Sequence, residues 1–235
     1  MLIMRRDRFL TGAVLAATFF AVLILMFWPL MGGLNAFEAA DRLFNSMAKG
    51  SSNSFEALRK AAAERRGSDV QVDIDLKEAN LAGTARTLLA KVGLGVAGEG
   101  TKVRVSGDLS QLAGAIIDDS EAVFYNKGTA TVAKYGQPER ETLFAWWNVL
   151  KEMQKTLESK ERFQAAAFIH ELSVKGVEVS YNFYGIEPKE ARRNVAILAG
   201  SLIFYVLYTL WWGYAILCFF DGLGMEMKAG SRKEV

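Results

Sequence analysis

The chain is poor in the residues that most often announce chemistry. Its 235 residues include one histidine, His170, and one cysteine, Cys218. A single thiol excludes an intramolecular disulfide and leaves the redox compartment undetermined. One imidazole restricts histidine-based triads, and no histidine-rich or cysteine-rich spacing suits zinc, haem or iron–sulfur ligation. As a general base, His170 would need an orienting acid, and the adjacent Glu171 does not share its helix face. It reads as an ordinary helix residue, and no cofactor is expected. The formal net charge of +2 is too small to imply a nucleic-acid partner.

Charge is missing altogether from two long stretches. No ionisable side chain lies between Arg8 and Glu38, and residues 9–31 are almost wholly apolar; the second uncharged run covers 194–220. About 20 apolar residues suffice to cross the hydrocarbon layer, and helix is the spanning state that satisfies its own backbone. The expected organisation is a cytoplasmic tail over 1–8, a transmembrane helix over 9–31 and an extracytoplasmic domain over 32–193. A second transmembrane helix over 194–220 and a cytoplasmic tail over 221–235 follow.

Arg5, Arg6 and Arg8 precede the first span while only Arg42 follows it closely, which places the N-terminus in the cytoplasm. Around the second span, Lys189, Arg192 and Arg193 balance Lys228, Arg232 and Lys233. The first run outlasts the apolar part of a cleaved signal, about 7 to 15 residues, and no strong small-x-small site follows, so it reads as an uncleaved anchor. The expected location is a prokaryotic plasma (inner) membrane.

The intervening segment is long enough for one compact domain. Residues 36–48 and 54–66 read as helices, the second with Ser54 as N-cap. DVQVDIDLK alternates, with Val70, Val72, Ile74 and Leu76 on one face and Asp73 and Asp75 on the other. A helix over 79–91 follows, then a second alternating strand, TKVRVSG, whose Lys102 and Arg104 face outward. If the two strands are neighbours, Asp73 and Asp75 lie opposite those cations.

A helix over 109–117 gives way to a strand or turn from VFY, and Pro138 marks a boundary. Residues 139–158 form a long helix with an apolar stripe of Leu143, Trp146, Trp147, Leu150, Met153 and Leu157. Residues 159–171 continue as a further helix, and VKGVEVSYNF supplies a last strand through Val177, Val179, Tyr181 and Phe183. The domain is therefore α+β or α/β, set between two transmembrane α-helices.

Two motifs fail their context. GLGVAG, residues 93–98, has the spacing of a dinucleotide fingerprint, but it follows a helix and precedes a strand where the fingerprint needs the reverse. It reads as a turn whose glycines permit unusual backbone angles. Asp118, Asp119 and Glu121 could attract a hard cation but do not define a coordination shell, and they read as a solvated turn.

What is present in abundance is aromatic side chains inside the second span. Ser201, Tyr205, Tyr208 and Trp212 fall on one side of an ideal helix, with Phe204, Trp211 and Ala215 on a neighbouring strip. A phenol at that depth needs a hydrogen-bond partner, and Gly200, Ser201 and Gly213 would permit close helix approach. The first strip is the expected intramembrane interface; Trp146 and Trp147 are the candidate interface of the outer domain.

The function these features support is a non-catalytic membrane-anchored scaffold or accessory subunit. Its partners would be integral-membrane subunits, a soluble envelope protein, the bilayer and further copies of itself. An extracytoplasmic ligand sensor and a structural subunit of an oligomeric transporter or channel are the alternatives.

Overall fold

A computed structural model of the chain describes residues 3–225. The chain divides into two units: residues up to Leu43 together with those from Ala191 onward, and Phe44–Glu190. The basic tail residues Lys228, Arg232 and Lys233 lie outside the described residues.

The first unit is built on two apolar helices. α1 (Arg6–Phe27) and α10 (Val195–Gly222) are each long and apolar enough to cross a membrane. α10 has no polar stripe along its length, the pattern of a helix that faces apolar surroundings on all sides. The backbone N–H groups of Met4 and Arg5 both donate to the Gly222 carbonyl, at 2.9 and 3.0 Å, so the start of α1 meets the end of α10 and the pair is antiparallel. A 3₁₀ turn, Ala191–Asn194, leads into α10.

The helix α2 (Ala36–Ser51) opens with a reciprocal cap. Asn35 Oδ1 accepts from the Glu38 N–H at 2.9 Å and Glu38 Oε2 accepts from the Asn35 N–H at 3.0 Å.

The second unit is mainly helical, with one small sheet, an α+β arrangement. α3 (Phe55–Ala63), β1 (Asp69–Asp75), α4 (Ala79–Lys91), β2 (Gly95–Ala97) and β3 (Lys102–Asp108) are followed by α5 (Leu109–Phe124), α6 (Thr129–Tyr135), α7 (Glu139–Ser159) and α8 (Phe163–Leu172). A π-helix, Ser173–Glu178, and the short α9 (Val179–Asn182) complete it.

The sheet order is β1-β3-β2, antiparallel throughout. Asp73 pairs with Arg104 and Asp75 with Lys102, the register that charge complementarity suggests. Arg104 Nε lies 2.6 Å from Asp73 Oδ1. Val70, Val72, Ile74, Val103 and Val105 are buried on the opposite face. The outer edge of β1 is closed by side chains: Arg162, Lys160 and Thr156 donate to the carbonyls of Asp69, Gln71 and Asp73 at 3.0 to 3.1 Å. An edge so occupied cannot recruit another strand.

Several expectations are corrected. VKGVEVSYNF is helical, not a strand. Its buried residues are Gly176, Val177 and Ser180, which with the preceding Ser173 fall at helical spacing, and Gly176 lies against Leu58 and Leu172. VFY is the end of α5, which runs past residue 117 to Phe124. Asp118, Asp119 and Glu121 therefore sit on a helix, not in a solvated turn. GLGVAG contains the strand β2, while Gly93 and Gly98 take positive φ, 83° and 104°. A Cβ on Gly98 would meet the Lys102 carbonyl at 2.6 Å, so glycine also permits the close strand approach. The expected cap Ser54 makes no side-chain cap bond; Asn53 Oδ1 accepts the Phe55 N–H instead, at 3.3 Å.

The two ends of this unit are tied together. Lys49 is fully buried, over the ring of Phe124, and its ammonium donates to the carbonyls of Phe183 and Ile186. The Lys189 N–H donates to the Ser46 carbonyl at 2.9 Å. A Cβ on Gly50 would overlap the Lys189 carbonyl, so only glycine admits the exit segment at this distance.

Candidate functional site

In the first unit, the face of α10 turned toward α1 runs through Tyr208, Trp211, Ala215, Cys218 and Gly222, steps of three, four, three and four residues. That is helical spacing for one side. At one end Gly12 and Gly222 let the backbones close: a Cβ on Gly12 would stand 3.1 Å from the Ala215 carbonyl oxygen, and one on Gly222 would stand 2.7 Å from Phe9 Cβ. Further along, the rings take over. Phe19 stacks on Tyr208 at 4.1 Å between centroids and meets Trp212 at 4.8 Å, while Phe9 meets Phe219 edge-on at 5.3 Å.

Two polar tips cross the seam. The Tyr208 hydroxyl donates to the Phe19 carbonyl at 3.2 Å and Trp211 Nε1 donates to the Leu15 carbonyl at 3.1 Å, one helical turn apart on α1. Both donors thus find acceptors on the facing helix, in surroundings that are otherwise apolar.

The strip singled out from sequence lies on the flank of this seam. Tyr208 and Trp212 reach α1; Trp212 also packs edge-on against Phe20 at 5.4 Å. Ser201 turns its hydroxyl back to the Ile197 carbonyl at 2.8 Å. Tyr205 is 66% exposed, and its hydroxyl has no hydrogen-bond partner among the described residues. Gly200 and Gly213 face open space, so the close approach between α1 and α10 uses other glycines.

In the second unit, adjacent tryptophans part company because successive helix residues are turned about 100° from one another. Trp146 is wholly buried, and its Nε1 donates to Asp119 Oδ2 at 3.0 Å. The same carboxylate accepts from the Tyr135 hydroxyl at 2.7 Å and from Lys134 Nζ at 3.1 Å. Burial, with the bond to Asp119 second, pushes the Tyr135 phenol far above its ordinary range, so it remains a donor. Asp119 is thus a satisfied structural carboxylate.

Its acidic neighbours are also committed: Arg59 bridges Asp118 and Glu121, each at 2.5 Å. Among the described residues, no group of three or more His, Cys, Asp or Glu side chains is placed to hold a metal ion. His170 is an exposed residue of α8.

Trp147 instead borders a cleft of about 330 Å³ between α7 and the π-helix with α9, lined by Leu143, Phe144, Trp147, Val177, Glu178, Tyr181 and Asn182. Its indole N–H donates to Glu178 Oε1 at 2.8 Å, and Phe144 stacks beside it at 6.2 Å. Arg140 lies over the rings of Tyr181 and Tyr184, and Lys151 over Trp147. A π-turn is rare and is found disproportionately where a helix must present side chains for a purpose. Here it carries Val177 and Glu178 into the cleft wall.

Neither Phe144 nor Glu178 was singled out from the sequence. The apolar stripe of α7 predicts its core face, and the wall opposite has the alternation of a strand in the sequence but is helical. Comparison with protein-family models, curated proteins and solved structures returns no match for this chain.

Proposed function

We propose that the chain is a membrane-anchored, non-catalytic scaffold or accessory subunit of a larger integral-membrane complex. α1 and α10 pack within the bilayer, and the domain outside contacts a partner. In this reading Arg5, Arg6 and Arg8 hold the N-terminus in the cytoplasm and Phe44–Glu190 is extracytoplasmic.

The observation that carries the reading is Tyr205. Two aromatic donors of α10, Tyr208 and Trp211, are satisfied by α1, whereas the Tyr205 hydroxyl points away with no acceptor among the described residues. It lies ten residues from the start of α10, roughly 15 Å at the usual helical rise. That depth is about half the hydrocarbon thickness, so neither headgroup region is close. An acceptor from another helix meets the need of such a phenol, and the neighbouring rings of Trp212 and Phe20 widen the surface beside it.

The test is purification from native membranes in mild detergent. Wild-type protein is expected to bring down integral-membrane subunits in fixed stoichiometry, and the Tyr205→Leu/Trp212→Leu variant to insert normally yet lose them. Recovery of the wild type as an isolated monomer, or an unchanged complex with the variant, overturns the reading.

A further inference from the structure

The cleft beside Trp147 has a chemistry of its own. Along α7, Arg140, Phe144, Trp147 and Lys151 are spaced by four, three and four residues and so share one face. The middle two are aromatic and the outer two are cationic; Phe144 is 49% exposed, a large ring left at the surface beside the half-buried Trp147. The eleven helical steps from Arg140 to Lys151 span roughly 16 Å.

Opposite lies the wall of Val177, Glu178, Tyr181 and Asn182. The one carboxylate in the lining, Glu178, is engaged by the Trp147 indole and by Ser173 Oγ, at 2.8 and 3.5 Å. The apolar middle is therefore bracketed by two cations, and neither Arg140 nor Lys151 has an ion-pair partner among the described residues.

We propose that this cleft docks an amphipathic helical segment of a partner protein, with bulky apolar residues filling the middle and acidic residues at both ends. The proposal rests on the reading of the outer domain as a partner-contacting module and names the chemistry of that partner. A volume of about 330 Å³ admits two large apolar side chains, the anchors of a helix laid in a groove. Charge selects among such helices, because acidic ends meet Arg140 and Lys151 while basic ends are repelled. A second copy of the same face is a poor occupant. Pairing it with itself about a two-fold axis sets Arg140 against Lys151 of the other copy, cation against cation.

The wall also leads directly to the end of the domain. Arg140 covers both Tyr181, in the cleft, and Tyr184, beyond it, and the Tyr184 hydroxyl donates to Glu139 Oε1 at 2.7 Å. The Phe183 carbonyl between them is held by Lys49. A docked segment that shifts Tyr181 therefore acts on the residues that tie the exit segment down.

The experiment uses the full chain in nanodiscs and two fluorescent synthetic helical peptides. Both carry Leu and Phe at i, i+3, i+4 and i+7; one has two Glu at each end, the other two Lys. The wild type is expected to bind the Glu-ended peptide at least tenfold more tightly, with affinity falling as salt rises. In the Arg140→Glu/Lys151→Glu variant the preference should invert, an outcome that neither misfolding nor adsorption to the bilayer produces. Phe144→Ala should weaken whichever peptide binds by tenfold or more, with unchanged thermal unfolding.

Equal binding of the two peptides, or a preference unaffected by the charge reversal, overturns the proposal. So does self-association of the wild type that Phe144→Ala abolishes, or saturable uptake of laurate that blocks the peptide and ignores Lys151. Any of these with the membrane subunits still co-purifying sinks the cleft partner alone and leaves the scaffold standing.

Discussion

The ammonium of Lys49 donates to the backbone carbonyl of Phe183 at 3.0 Å, across 134 residues of chain. Lys49→Met keeps the buried stem and removes the donors. The Phe183 carbonyl keeps the Ile186 N–H and the Ile186 carbonyl keeps Asn126 Nδ2, so the loss is that of hydrogen bonds from a charged donor, about 1.5–3 kcal/mol. Denaturant unfolding should report the loss. Hydrogen exchange should report it locally, as faster exchange at the Lys189 amide, whose bond to Ser46 depends on the same segment staying docked.

Asp108 gives an acid-dependent contribution of predictable sign. Its carboxylate accepts the Gly67 N–H at 2.5 Å and the Gln111 N–H at 3.0 Å, joining the end of α3's following turn to the start of α5. These bonds, Gly67 first, hold its pKa below the ordinary 3.8. The unfolded chain therefore binds the proton more readily, so the contribution is present above pH 3.8 and lost as pH falls through the lowered folded value. Asp108→Ala should cost about 1 kcal/mol near neutrality as a lost helix cap. In urea titrations its deficit relative to the wild type should shrink as the pH is lowered through that window.

Asp119 holds two buried donors that have no other outlet. Asp119→Ala should leave the Tyr135 hydroxyl and the Trp146 indole unpaired, at about 1–3 kcal/mol each. Asp119→Asn retains one acceptor oxygen and should lose less. Denaturation followed by the near-ultraviolet signal of the tryptophans distinguishes the two.

Gly12→Val and Gly213→Val separate the two faces of the apolar helix pair α1 and α10. The first places side-chain atoms against the backbone of Ala215 and Phe219, so thermal stability in detergent should fall by several degrees. The second projects into open space, so the isolated chain should tolerate it. A retained melting temperature in Gly12→Val would show that the helices can separate without loss.

The sequence displays the parts of this fold whose pattern has one physical reading. The alternation in β1 and β3 carries the strand period, and the crossed charges of Asp73, Asp75, Lys102 and Arg104 carry the register. α4 and α7 carry the helical period without interruption.

The segment from Ser173 to Asn182 misled because its buried face is Ser173, Gly176, Val177 and Ser180. Small and hydroxylated residues there pack and bond locally, as Ser180 does to the Gly176 carbonyl at 2.8 Å, without registering as apolar. Meanwhile the valines and aromatics at alternate positions imitate a strand. The acidic group on α5 misled for a related reason: Asp119 looks solvated until Tyr135 and Trp146, brought in by two later helices, converge on it. In the pair α1 and α10, the aromatic strips are visible in the sequence. Which strip meets α1 depends on a rotation of one residue, and the pairing glycines Gly12 and Gly222 lie far apart in the chain.

The bond between Ser46 and Lys189 places the beginning and end of the Phe44–Glu190 unit within one hydrogen bond of each other. Such a unit is portable. Its two junctions occupy no more space than a tight turn, so it can be lifted out, or set into the connecting loop of an unrelated helical hairpin, without stretching its host. Evolution can accordingly vary the apolar helix pair and the Phe44–Glu190 unit as separate parts, exchanging one while the other is kept.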